Sequence, residues 1–225
     1  AIAGKVKGKV VVDVGTGPEA ILAQHCISSG AVRVYAIEIL DDIYELAKAR
    51  IALLGLSEKI ILVKGDVREV NLPEQVDYCV CALVGNMGSS DGCIPIMNSA
   101  RRFLKDGRNM IPLRSVSYIG CIDLETVRPS YCVTETGAGY MERIFEHHGG
   151  SFDLRMCVQG IGEKELLSEG SVFEELDLSE PMETEGTREV VLQITRSGML
   201  SGFVVWLELH TSEGIVNNIL KSQEI

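Results

Sequence analysis

Three apolar runs each end at a carboxylate, and two glycines follow the first of them. Asp13 lies in Val10-Val11-Val12-Asp13-Val14 and precedes Gly15-Thr16-Gly17-Pro18. Glu38 follows Val34-Tyr35-Ala36-Ile37, 21 residues after Gly17, and Asp66 follows Val63-Lys64-Gly65. Glycines let the backbone turn sharply and approach a ligand closely, and a helix that starts after them offers free N–H groups. A carboxylate at the end of the second strand can accept both hydroxyls of a ribose. Polar groups at three neighbouring strand ends describe a nucleoside pocket at the switch point of a sheet. The third glycine of the dinucleotide fingerprint is missing, which disfavours a pyrophosphate lying across the helix start. A cofactor with one nucleoside and a short amino-acid tail fits better, and S-adenosylmethionine is such a molecule.

Those acids must be held by alternating strands and helices. Residues 9–14, 32–37, 60–63 and 76–81 are predicted strands. Pro18 suits the first turn of a helix, since its missing N–H would be unpaired there. Asp41-Asp42 begin a second helix with Ile43, Leu46, Ala47, Ile51 and Leu54 on one face, stopped by Gly55, and 94–104 gives a third. Strands separated by such helices imply a doubly wound, Rossmann-like, mainly parallel α/β sheet. The pattern changes after residue 115. Residues 118–124 read as an antiparallel strand and 125–150 as a helical connector. Val190, Leu192, Ile194 and then Phe203, Val205, Leu207, Leu209 alternate about a turn at Arg196-Ser197-Gly198, which predicts a hairpin. The expected organisation is therefore a cofactor domain over 1–115 and a β-rich, barrel-like subdomain over 116–225.

Composition narrows the function classes. The 225 residues carry 32 Asp and Glu against 21 Lys and Arg, a net charge of −11, and no basic cluster longer than Arg101-Arg102. A protein that tracks phosphates would show a basic face, so nucleic acid is not an expected partner. No apolar run reaches the roughly 18–20 residues of a membrane helix, and no signal peptide is read at the start. Seven cysteines without a C-x-x-C pair are expected as reduced thiols in cytoplasm, and a zinc site lacks the necessary spacing. Cys79 and Cys81 read as small core residues on one strand face. The acidic tract 163–189 reads as a solvated face.

The segments VVDVGTGPEAILA, YAIE, KGDVREVNLPEQVDYCVC and ARRFLKDGRNMIP resemble the successive motifs of class I methyltransferases. The similarity is closest to the protein arginine methyltransferase-like branch, and FDLRMC with EVVLQITRSGMLSGFVVWLEL resembles that branch's β-barrel. The resemblance implies that Asp13, Gly15 and Gly17 hold the methionine end of S-adenosylmethionine. It also implies that Glu38 binds the ribose, Ile39 lies beneath the adenine, and Asp66 and Val67 sit at the adenine edge. In that branch two glutamates in the loop after strand four clamp the guanidinium. Here Ala82, lining the cofactor side, stands at the first glutamate's place and Asp91 lies near the second. A planar, charged guanidinium depends on matched carboxylates.

The loss of the pair points the expectation away from arginine. It favours O-methylation of a small or carrier-bound metabolite, such as a polyketide hydroxyl. Ala1 and the early first motif suggest a domain of a larger multidomain polypeptide. A protein arginine N-methyltransferase and a non-catalytic methyltransferase-like scaffold are the alternatives. Methyl transfer to oxygen needs alignment and a positioned general base. Asn86 and Asp91, in the loop after strand four, and His148, at the domain junction, are the candidates for that work.

Overall fold

The computed structural model describes residues 2–85, 87–123, 134–150, 161–212 and 215–218. The chain divides into two compact units. One comprises Ala1–Tyr118, Val172–Val190 and Val205–Asn218, and the other chiefly Ile119–Ser171 and Val191–Val204.

In the first unit, β1 (Val10–Val14), β2 (Arg33–Glu38), β3 (Ile60–Lys64), β4 (Tyr78–Cys81) and β5 (Met110–Ile111) form one sheet in the order β3-β2-β1-β4-β5. All of its pairings are parallel. The order reverses at β1, so the chain winds outward to either side of that strand. The strand pleat sends alternate residues to opposite faces. Val12, Val14, Tyr35, Ile37, Cys79 and Cys81 enter one core cluster, while Val11, Val34, Ala36 and Val80 enter the other. A parallel sheet is stable when both faces are covered. After the single-turn α1 (Ile2–Lys5), α2 (Ile21–Ser28) and α3 (Asp41–Leu53) supply Ala23, Cys26 and Ile51 to one cluster. α4 (Cys93–Ala100) supplies Cys93, Met97 and Ala100 to the other. The predicted doubly wound sheet and the core placement of Cys79 and Cys81 are found as expected.

Three local expectations are corrected. Pro18 lies in a turn before α2, not in its first helical turn. The buried positions of α3 are Ala47 and Ile51, whereas Leu46 is exposed, because the sheet contacts a narrower stripe than the apolar pattern offers. The run 94–104 is a helix to Ala100 followed by a single 3-10 turn, Arg101–Phe103. There the Arg101 guanidinium turns inward. It donates to the carbonyls of Gly107 (2.8 Å), Ser179 (2.7 Å) and Leu178 (2.5 Å), and to that of Glu180, fixing the segment 178–180.

A second, antiparallel sheet follows, built from β6 (Arg114–Ile122), β7 (Ser171–Asp177), β8 (Gly202–Ser212) and β9 (Ile215–Asn218) in the order β7-β6-β8-β9. Within the first unit Tyr118 stacks on Trp206 with centroids 5.5 Å apart, worth about 1 kcal/mol beyond area burial. The expected hairpin between 190–194 and 203–209 is not formed. Residues 190–193 lie outside any strand and Ile194 makes a single bridge to Ser168. β8 pairs instead with β6 and with the following β9. Alternation identifies a strand, but does not choose its partner. In the second unit the helix Glu135–His148 lies within the predicted connector. Thr134 caps it by accepting the Gly137 N–H at 3.1 Å, and Gly149 ends it at φ +84°.

Candidate functional site

The turn after β1 is built on its own carboxylate. Asp13 is fully buried, and Oδ2 accepts the Thr16 hydroxyl at 2.6 Å and the Ala23 N–H at 3.2 Å. Burial pushes its pKa up to about 6; the bonds from Thr16 and Ala23 oppose that rise and the charge of Glu38 adds to it. Oδ1 has no partner among the described residues. The N–H groups of Gly15 and Thr16 both donate to the Ile37 carbonyl at 3.1 Å, tying the turn to the end of β2.

Gly15 has φ +71°, and a Cβ there would stand 2.9 Å from Leu83 Cδ2. Gly17 has φ +68°, and its Cβ would meet nothing within 4 Å, so open space faces that side of the turn. Ala20, just before α2, also takes a left-handed backbone, at φ +48°.

Glu38 closes the turn from the next strand. It is buried, its Oε2 accepts the Gly17 N–H at 3.1 Å, and its Oε1 accepts the Leu40 N–H at 3.0 Å. Each oxygen keeps lone-pair capacity for a further donor. Beside it Ile39 and Leu40 are 53% and 57% exposed, an apolar surface next to a buried acid. The Gly65 N–H donates to the Glu38 carbonyl at 3.0 Å, which fixes the end of β3 against that of β2.

The structure thus brings Asp13, Gly15, Gly17 and Glu38 together at the carboxyl edge of the sheet, with Ile39 beside them. Asp66 is the next acid along that edge. The Arg68 guanidinium grips it through Nε at 2.9 and 3.0 Å and through Nη2, and the Arg68 N–H adds a bond at 2.9 Å. Those bonds hold its carboxyl at about 2, well below its ordinary value. Val67 is buried in the core and its carbonyl accepts from Arg102 at 2.9 Å.

The loop after β4 begins at Ala82, which is exposed, and passes Leu83 beneath Gly15. Asp91 lies in this loop at φ +61°, exposed, with Oδ2 near the Gly85 backbone. Asn86 lies outside the described residues. His148 is the last residue of the helix Glu135–His148 and belongs to the second unit. His210, a further histidine, pairs with Glu208 at 2.9 Å along β8. Sequence reasoning missed Thr16, whose hydroxyl orders Asp13, and Glu174 of β7, whose Oε1 accepts the Ser89 N–H at 3.0 Å. The spacing Asp13-x-x-Thr16 was the available signal for the first. No local pattern signals the second.

No protein-family model matches the chain. Among curated proteins it is 37% identical over 118 residues to the probable protein arginine N-methyltransferase 6 of Arabidopsis thaliana, covering 52% of this chain and 27% of that protein. It is 32% identical over 119 residues to protein arginine N-methyltransferase 6 of Xenopus laevis, covering 52% and 34%. The histone-arginine methyltransferase CARMER of Anopheles gambiae matches at 30% over 108 residues, covering 48% and 17%. The chain therefore spans about a third or less of the length of these curated relatives.

The solved structure of Arabidopsis thaliana protein arginine methyltransferase 10 superposes with a TM-score of 0.74 at 20% identity, covering 98% of this chain and 71% of that one. The Trypanosoma brucei PRMT1 enzyme–prozyme heterotetrameric complex with AdoHcy gives 0.73 at 18%, covering 96% and 69%. The fold is that of the class I methyltransferases of the arginine type. The expectation of an oxygen acceptor on a small or carrier-bound metabolite, with a polyketide hydroxyl as its example, is overturned. The relatives similar in sequence are named for arginine in proteins, not for a hydroxylated metabolite.

Proposed function

We propose that the chain is the catalytic module of a protein arginine N-methyltransferase that takes its methyl group from S-adenosylmethionine. The observation that carries this is sequence similarity at 30–37% identity, over about half of the chain, to proteins named for that activity. The site geometry supports it residue by residue.

Glu38 is the ribose acid: it is held in place by the Gly17 and Leu40 N–H groups and retains acceptor capacity on both oxygens. The open side of Gly17 leaves room for the amino-acid tail, and the exposed Ile39 offers a face to an adenine ring. Asp13 acts through Thr16 and Ala23, keeping the turn in shape; it is a positioning residue. Asp66 and Val67 bound the adenine edge, with Asp66 oriented by Arg68.

A bound sulfonium would supply a methyl group open to in-line attack. The residues of the chain have then to aim the acceptor nitrogen and to take up its proton, and alignment of this kind can supply several kcal/mol. Asp91 is placed to accept a proton or hold the positive charge. Ala82, where the resembled branch has its first glutamate, brings no carboxylate, so the charge facing the acceptor has to come from Asp91 and from outside the loop.

Calorimetric titration with S-adenosylhomocysteine, beside the Glu38→Ala variant, tests the pocket. Micromolar binding by the parent, weakened at least tenfold in the variant, is expected. Equal affinity in both would remove Glu38 from the ribose. Radiolabelled methyl transfer to an arginine-rich histone peptide tests the acceptor, and transfer to a hydroxylated metabolite in its place would overturn the proposal.

A further inference from the structure

Glu174 stands in the acidic tract that composition assigns to a solvated face, yet its carboxylate is built into the loop after β4. Oε1 accepts the Ser89 N–H at 3.0 Å and the Ser117 hydroxyl at 2.9 Å, and Ser117 Oγ accepts the Gly88 N–H at 3.0 Å. Gly88 is buried, and a Cβ there would lie 2.8 Å from Glu174 Oε1 and 2.6 Å from Ser115 Oγ. Only glycine lets those two polar atoms come so close to the loop. Ser115 is fully buried, and its hydroxyl, aimed at the same spot, has no partner among the described residues.

A second carboxylate reaches the loop in the same manner. Asp91 Oδ2 stands 2.7 Å from the place a Cβ of Gly85 would take. Both acids bear on one atom: burial pushes the Cys93 thiol up to about 11, with the charges of Glu174 and Asp91 adding to the effect.

Several acids elsewhere in the chain meet a cation. Asp66 has Arg68, Glu74 has Arg33, and Glu175, the neighbour of Glu174, meets Arg114 at 2.6 Å. Among the described residues neither Glu174 nor Asp91 has a Lys or Arg within 4.0 Å. Two carboxylates and an orphaned hydroxyl therefore bear on one loop, and no described Lys or Arg pairs with either acid.

We infer that Glu174 is a specificity-determining acid on the acceptor side of the site, its carboxylate acting with that of Asp91 to receive the guanidinium of a substrate arginine. This rests on the proposed acceptor. A guanidinium presents paired N–H groups and a permanent charge to two separated carboxylates, whereas a lysine ammonium offers one compact point.

Glu174→Gln isolates the charge, because the amide oxygen can still accept from Ser89 and Ser117. Glu175→Gln is the control one residue along the strand. The 225-residue chain and both variants are assayed with arginine-containing and lysine-substituted peptides, and S-adenosylhomocysteine affinity is measured alongside. Expected is a fall of at least tenfold in kcat/KM for the arginine peptide in Glu174→Gln, with cofactor affinity within twofold of the parent and Glu175→Gln unchanged. If the parent labels the arginine peptide and Glu174→Gln labels it equally well, Glu174 has no such role and the acceptor proposal survives. If the parent labels no arginine peptide while binding the cofactor, the acceptor proposal fails and this inference fails with it.

Discussion

Replacing Asp13 with asparagine should make the protein more stable, by an amount that grows as pH rises from 3.8 to about 6. The parent carboxyl is fully buried and titrates at about 6 against an ordinary 3.8. Between those values the folded protein keeps a proton that the unfolded chain has released, so stability falls as pH rises through that window and levels off above it. At 1.36 kcal/mol per pH unit the ionised, buried form carries a penalty of about 3 kcal/mol, of which about 2 kcal/mol develops between pH 4.5 and 8. Asparagine has the same shape, keeps an oxygen to accept from Thr16 and Ala23, and does not titrate in this range. Its amide NH₂ falls where Oδ1 already lacks a partner, so the new cost is largely one that the parent also bears. Urea unfolding at pH 4.5 and pH 8 measures the difference. The gap between variant and parent should widen by about 2 kcal/mol in favour of the variant at the higher pH, a midpoint change of about 1 M at a slope of about 2 kcal/mol per molar urea. A variant that is destabilised equally at both pH values would refute the reasoning. It would mean that the turn needs the negative charge, and that the N–H groups around Asp13 already compensate for its burial.

Two further substitutions probe how the site is held. Gly15→Ala forces a Cβ into a backbone at φ +71° and to within 2.9 Å of Leu83 Cδ2, so a loss of about 1–3 kcal/mol is expected in thermal or urea unfolding. Leu83→Ala in the same chain should recover the contact part of that loss, and strictly additive effects would show that the two side chains do not meet. Arg101→Ala leaves the carbonyls of Gly107, Leu178, Ser179 and Glu180 without their donor and should cost about 2–4 kcal/mol, with a loss below 1 kcal/mol showing that water replaces the guanidinium.

What the sequence makes legible here follows from the geometry of parallel sheets. Parallel strands present all their carboxyl ends on one edge, so an acid that closes each apolar run needs no tertiary knowledge to be placed beside its neighbours. Asp13 and Glu38 were readable for this reason, and so was the switch point at β1, where the strand order reverses. Cys79 and Cys81 could be assigned to one face because the side-chain period in a strand is two. The second sheet is less legible. The alternation at 190–194 and 203–209 is equally good in both segments, but only the second is a strand, since partner choice is decided by what β6 and β9 offer. The α3 stripe shows the same limit: five apolar residues share a helical face, yet the neighbouring sheet buries only Ala47 and Ile51.

The proposed acceptor side lay beyond reach of the sequence for a different reason. Its acids are not neighbours in any local pattern: Glu174 meets Ser89 across 85 residues and Ser117 across 57. Counted along the loop after β4, the chain has Asp91 and an alanine at position 82, and a single acid is poor equipment for a guanidinium. Counted in space, the Glu174 carboxylate also reaches the loop, at a glycine, Gly88, that looks like ordinary turn punctuation in the sequence. The glycines at 85 and 88 read as a flexible turn when only the loop is considered. The folded chain uses each of them as the one residue type that lets a carboxylate oxygen come within 3 Å of where a Cβ would stand. Counting charges along a loop cannot see a carboxylate delivered by a strand that arrives 85 residues later.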